Sequence, residues 1–149
     1  MIIKRKLALA VAAGIAVVGV GLPAAAASPA APVTQVIKVK TVQDTKSYIQ
    51  SQNSYTFIAG LWQGKKNVGQ VTVTCYFASP TAPTSNCGVD IYFYGTGFIF
   101  GRVTSTNGNG ATGSLNGGTG SFANAHGTLT VVPITQGSSW ATLRFTTAA

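Results

Sequence analysis

Few side chains in this chain can do chemistry. There is one histidine, His126, and two carboxylates, Asp44 and Asp90, with no glutamate anywhere. A Ser-His-Asp triad would have to pair His126 with one of those aspartates, and no serine sits in a nucleophile elbow. A metal site needs three or more convergent donors. One His, two Asp and two cysteines that are better used on each other do not supply them, so neither a metal nor a cofactor is expected. A glycosidase pair would need Asp44 and Asp90 to face each other across a sugar, and Asp44 stands in a polar loop, Gln43-Asp44-Thr45. The arrangement that merits following is Asp90, Tyr92 and Tyr94, alternate residues of one segment. An acid among aromatics is either solvated or hydrogen-bonded, because burying it unpaired is costly. If that face looks inward, Asp90 with Arg102 or Arg144 would fix the polar end of an apolar ligand. If it looks outward, it is an ordinary solvated face. Catalytic residues remain unknown at this stage.

These residues sit in segments that alternate apolar and polar, broken every ten residues or so by Gly, Asn, Pro and Ser. No helical period is visible. The pattern predicts an all-β fold, a small eight-stranded antiparallel β-barrel whose interior holds side chains or one ligand. Strands are predicted at 34–42, 54–62, 70–77, 87–94, 97–104, 111–115, 127–134 and 139–146. Gly64-Lys65-Lys66-Asn67 and Asn107-Gly108-Asn109-Gly110 are predicted turns. In the third strand Val71, Val73, Cys75 and Phe77 share a face. In the fourth, Cys87, Val89, Ile91 and Phe93 do. Both cysteines thus lie on apolar faces, as a cross-strand Cys75–Cys87 disulfide requires.

The N-terminus reads as an export signal. Lys4, Arg5 and Lys6 precede an apolar run from Leu7 to Leu22, Pro23 breaks it, and Ala25-Ala26-Ala27 satisfies the small-x-small rule before Ser28. The run is shorter than the roughly 18 residues of a spanning helix, and no Cys lies near the cut. The expected organisation is a signal peptide at 1–27, a flexible Pro/Ala-rich leader at 28–34 and a β-barrel domain at 35–149. The product would be secreted into an oxidising compartment, where one disulfide is the normal state, with no stable membrane anchor after cleavage. The formal net charge of +8 is then partly the signal's. The remaining basic residues are scattered rather than clustered with stacking aromatics, so nucleic acid is not an expected partner.

The stretch Gly117-Gly118-Thr119-Gly120-Ser121-Phe122-Ala123-Asn124-Ala125-His126-Gly127-Thr128 resembles the GGTG-x-[FY]-x-x-A-[RH]-G block of the allene oxide cyclase and dirigent superfamily. The order of the other segments, from about residue 50 to 147, is similar too. The resemblance implies an eight-stranded barrel with an apolar interior, often trimeric in plants. Some members of the superfamily cyclise a fatty-acid epoxide, and others steer phenoxy-radical coupling. Plant dirigent proteins usually carry an acid after GGTG and an arginine before the next glycine, and this chain has Ser121 and His126 there. Apart from the family, Gly117, Gly118 and Gly120 are read as sites of positive φ or close backbone approach, Phe122 as a plug for one barrel end, and Ala123 and Ala125 as small residues for tight packing. His126 is read as a surface or corner residue, beside Gly127.

Three functions remain open from the sequence. The first is a secreted barrel that binds a small apolar or aromatic molecule and steers its cyclisation or coupling. The second is a non-catalytic cell-envelope or extracellular scaffold. The third is a true cofactor-free cyclase or isomerase. A homotrimer is expected from the resemblance alone. An open interior lined by Phe, Tyr and Trp would favour the first reading, and a filled one the second.

Overall fold

The structure, a computed structural model, describes residues 32–147. The signal segment and most of the leader expected at 28–34 lie outside the described residues. Nine strands follow in order: β1 (Thr34–Gln43), β2 (Ile49–Gln50), β3 (Ser54–Gln63), β4 (Lys66–Phe77), β5 (Thr84–Phe93), β6 (Gly97–Thr106), β7 (Ala111–Gly118), β8 (His126–Thr135) and β9 (Ser138–Thr146). From β3 to β9 each strand pairs antiparallel with the next. β9 pairs with β1, and β1 pairs with β3, Lys40 to Gln43 lying against Trp62 to Ala59. The eight long strands therefore close a barrel, which removes the exposed sheet edges that invite aggregation. β2 is a two-residue flap on the edge of β3.

Closure follows from strict alternation. One residue in two is buried along β5, from Ser85 through Cys87, Val89 and Ile91 to Phe93, while Asn86, Gly88 and Asp90 between them are exposed. β6 repeats the pattern with Ile99, Gly101 and Val103 inside. Because side chains on a strand point to opposite faces in turn, this set faces the barrel axis. Each fully buried aliphatic or aromatic side chain contributes about 1.5–3 kcal/mol relative to exposure. Cys75 and Cys87 are bonded to each other across directly facing positions of β4 and β5.

The predicted strands are all present, but β4 begins at Lys66, so that the turn expected at 64–67 narrows to Gly64-Lys65, and β5 begins at Thr84, three residues before the predicted start. Thr84 and Ser85 pair with Thr106 and Ser105. Their polar side chains look like loop in a sequence, although Ser85 is buried. The turn between β6 and β7 has the expected chemistry, with Asn107 at φ 50° and Gly108 at φ 68°, the double positive φ of a primed hairpin turn.

Candidate functional site

The two ends of the barrel are built differently. At the end where β5 meets β6 and β7 meets β8, the block from Gly117 to Gly127 folds inward. A single 3₁₀ turn, Gly120–Phe122, places Phe122 in the bore. Its ring lies 5.4 Å from Phe93 and 5.8 Å from Phe145, centroid to centroid. Gly120 is needed there: its φ is +60°, and a Cβ would meet the Thr96 carbonyl oxygen at 2.3 Å. At Gly118 a Cβ would come within 2.2 Å of the Phe122 carbonyl oxygen. Gly117 differs from expectation, since a Cβ would meet only the Phe100 ring at ordinary contact distance, 3.7 Å. Ala125 is buried, whereas Ala123, Ser121 and His126 are exposed. His126 stands at the first position of β8, opposite Asn116 and Thr146. The block is thus a stopper.

The other end is open. Above the stopper lies a cavity of about 400 Å³ that opens between the β6–β7 and β8–β9 turns and the end of β1. Its walls are aliphatic, with Leu61, Val89, Ile91, Val103, Leu129 and Leu143 prominent. The bore is hollow here because inward positions hold small or β-branched residues. Ala141 lies between Val39 and Val131, and Ala59 faces Val71. Phe57 is the one aromatic among the lining residues.

Polar groups appear only at the mouth: Thr41, Gln43, Thr135, Gln136, Ser138 and Ser139. Several are already engaged. Thr41 Oγ1 donates to the Ser139 carbonyl at 3.3 Å, and the Thr135 and Ser138 hydroxyls are 2.7 Å apart. The Gln43 backbone N–H donates to the Gly137 carbonyl at 2.8 Å, which ties β1 to the β8–β9 turn and holds the mouth in shape. The Gln43 amide and the Ser139 hydroxyl have no such partner among the described residues. Both are half-buried and line the cavity. The lining includes no Asp, Lys, Arg or His. Such a site can exclude water from an apolar molecule and offer it one or two neutral hydrogen bonds. Its serine and threonine hydroxyls have no general base beside them among the described lining residues.

Asp90, Tyr92, Tyr94, Arg102 and Arg144 do not line this cavity. They stand on the outside of the barrel, so the inward alternative for that face is corrected. The reason is the period of two: Val89 and Ile91 point in, so Asp90 between them points out. Arg102 and Arg144 alternate in the same way with Val103 and with Leu143 and Phe145. Asp90 lies between Thr72 and Phe100 on the outer wall. The aromatic richness that pointed to a ring-lined pocket is spent elsewhere. Phe93, Phe122 and Phe145 make the stopper. Tyr92 stacks on Phe98 at 4.5 Å outside, Tyr94 meets Tyr92 edge-on at 5.5 Å, and Phe98 runs on to Phe100 at 6.1 Å. The cavity residues that sequence reasoning missed are the inward alanines and the mouth residues Gln43 and Ser139. The only available signal was the small size of the inward residues in β3 and β9.

No protein-family model matches the chain, and no curated protein matches it. Among solved structures, a pyocyanin demethylase is similar, with a TM-score of 0.64 at 23% sequence identity over 74% of this chain and 99% of that one. At that identity the likeness is one of fold, and it supports the small closed barrel.

Proposed function

We propose that this protein is a secreted barrel that takes up one small apolar molecule through its open end. The observation that carries this reading is the cavity of about 400 Å³ with aliphatic walls and a neutral polar mouth. That volume falls within the range of roughly 300–1,000 Å³ typical of small-molecule sites, and the lining has their usual composition, mostly apolar with a few polar groups. A barrel acting as a scaffold alone has no need of a hollow bore, since empty apolar space forfeits packing. A protein of similar fold named for demethylating pyocyanin supports a small-molecule role.

The GGTG-x-F-x-x-A-H-G block, folded as a stopper, supports kinship with the allene oxide cyclase and dirigent barrels. Under that kinship the barrel would shape a ligand for cyclisation or coupling by confinement, with reactivity supplied by the ligand or by another protein. Export fits the disulfide, which persists in oxidising compartments, and cleavage before Ser28 would release the barrel with its short leader. Homotrimerisation belongs to the same proposal and rests on the family likeness.

The test is a fluorescence titration with N-phenyl-1-naphthylamine, a neutral dye that brightens in apolar sites, against wild type and Ala141→Phe. Saturable binding to wild type that is lost in the variant is the expected result. Binding unchanged by a phenyl ring placed in the bore would refute the cavity as the site.

A further inference from the structure

We infer that the cavity selects compact, uncharged molecules bearing one hydrogen-bonding group, and rejects ionised ones. The inference rests on the reading of the cavity as a binding site and deepens it by naming the ligand class.

Charge comes first. Every polar side chain at the mouth is a neutral hydroxyl or amide. An ionised carboxylate, phosphate or sulfonate drawn into the bore would lose its hydration without gaining a cation. Burying a charge without a partner is far costlier than burying a hydroxyl or carbonyl that finds a hydrogen bond. Of the charged residues nearest in sequence, Lys40 lies on the outward side of β1, between the inward Val39 and Thr41, and two others are occupied in other ways. Asp44, next to Gln43, caps the 3₁₀ turn Thr45–Ser47, its Oδ1 accepting from the Lys46 N–H at 3.0 Å. Lys38, on the outward face of β1, holds its Nζ 4.9 Å from the centre of the Trp140 ring. In contrast, the Gln43 amide and the Ser139 hydroxyl line the cavity without partners among the described residues. Between them they offer donors and an acceptor to an alcohol, ketone, ester or quinone oxygen.

Shape narrows the class further. On β9 the lining runs from Ser138 to Leu143, and on β1 from Gln43 to Val39. At about 3.3 Å per residue, and with strands tilted by roughly 40°, this gives a total depth, polar mouth included, of about 10–13 Å. A volume of about 400 Å³ spread over so short a depth makes a wide chamber rather than a narrow tube. Leu61, Ile91 and Leu143 are the deepest lining residues, and the buried Phe93 and Phe145 come next along β5 and β9, so a long extended acyl chain has nowhere to continue. A ring system or a branched skeleton with its single oxygen at the mouth fits both dimensions.

The experiment uses two dyes that share one skeleton. N-phenyl-1-naphthylamine is neutral, and 8-anilinonaphthalene-1-sulfonate is the same molecule with a sulfonate. Each is titrated against wild type and Ala141→Phe, and only the signal lost in Ala141→Phe is counted as binding in the cavity. The neutral dye should bind there at least about tenfold more tightly than the sulfonate, because only the sulfonate buries an unpaired charge. Gln43→Lys, or Ser139→Lys should the first variant fold poorly, places a cation at the mouth and should narrow or reverse that ratio. Equal cavity binding of both dyes by wild type would overturn the selectivity while leaving the cavity reading intact. A ratio unmoved by either lysine would overturn the role given to the mouth. Binding of neither dye in the cavity would remove the binding reading itself, and this inference with it.

Discussion

The closed and open ends of the barrel share one wall and one hydrogen-bonding pattern, yet one end is packed solid and the other is hollow. The difference lies in residue volume at inward positions. At the closed end Phe93, Phe122 and Phe145 meet ring to ring at 5.4–5.8 Å. Toward the open end the equivalent positions hold Ala59 and Ala141 among valines, and a cavity of about 400 Å³ remains. Eight strands make a bore just wide enough for side chains to fill it or for one ligand to occupy it. This chain does the first at one end and the second at the other. The buried core runs the length of the barrel, with ring packing at the stopper and free volume at the chamber, so the two can be perturbed separately.

The largest effect should come from removing the stopper. Phe122→Ala deletes a buried ring that touches two others, and truncations of this kind cost about 3–5 kcal/mol. Urea unfolding monitored by circular dichroism should show the loss. Phe122 is not among the residues that line the chamber, so binding of N-phenyl-1-naphthylamine should change far less than stability does. A variant as stable as wild type would show that the closed end is not where the barrel is held together.

Next in size is the disulfide. The bridge spans 12 positions, and a loop of that length contributes roughly 2–3 kcal/mol in the chain-entropy model. The double variant Cys75→Ala, Cys87→Ala should lose about that much stability, and so should the wild type after reduction. The chamber should remain, because neither cysteine is among the residues that line it. Dye binding preserved alongside a lowered melting temperature would separate wall stability from chamber shape. Dye binding lost at temperatures where the fold persists would join them.

The wall of this barrel was legible in the sequence, and the chamber was not. Alternation identified all eight long strands, and it set the inward faces of β4 and β5 correctly because Val71, Cys75, Cys87, Val89 and Ile91 leave only one apolar side. The glycine block indicated a corner, and Phe122 a plug. Three things escaped. Thr84 and Ser85 read as loop because their polar side chains give no apolar signal, although their backbones complete the ladder with β6. The use of the aromatics was misjudged, since a count of rings does not say which face each occupies. Tyr92, Phe98 and Phe100 stack outside, where cross-strand aromatic pairs stabilise the sheet from its solvent face. The cavity depends on absent volume at Ala59 and Ala141, and absence at a few positions is visible only once the strands are arranged in a ring.

The chamber itself gives the third prediction. Ala141→Phe adds a ring to empty space rather than to a packed core. Stability should therefore stay within about 1 kcal/mol of wild type, since overpacking penalties arise where no room exists and cavity filling often stabilises. Calorimetry would check this, alongside the loss of dye binding already described. A strong destabilisation would mean that the bore is too narrow at Ala141 for a phenyl ring, and so tighter than the chamber described here.

The smallest expected effect comes from Asp90, and it decides between the two faces of β5. Had that face looked inward, Asp90→Ala would have left a buried arginine unpaired, at a cost of about 3–5 kcal/mol. The structure places Val89 and Ile91 inside and leaves Asp90 exposed, between Thr72 and Phe100 on the outer wall. Substitutions at solvated sites without special contacts usually change stability by no more than about 0.5 kcal/mol. Asp90→Ala should therefore melt with the wild type and bind N-phenyl-1-naphthylamine as tightly, since no carboxylate reaches the chamber. Val89→Asp, one residue away, is the informative partner. It turns a charge into the bore, where burial without a cation is costly, and should both destabilise the barrel and abolish dye binding. If the two variants behaved alike, β5 would be paired one residue out of register, and the chamber would be lined by the tyrosine face instead.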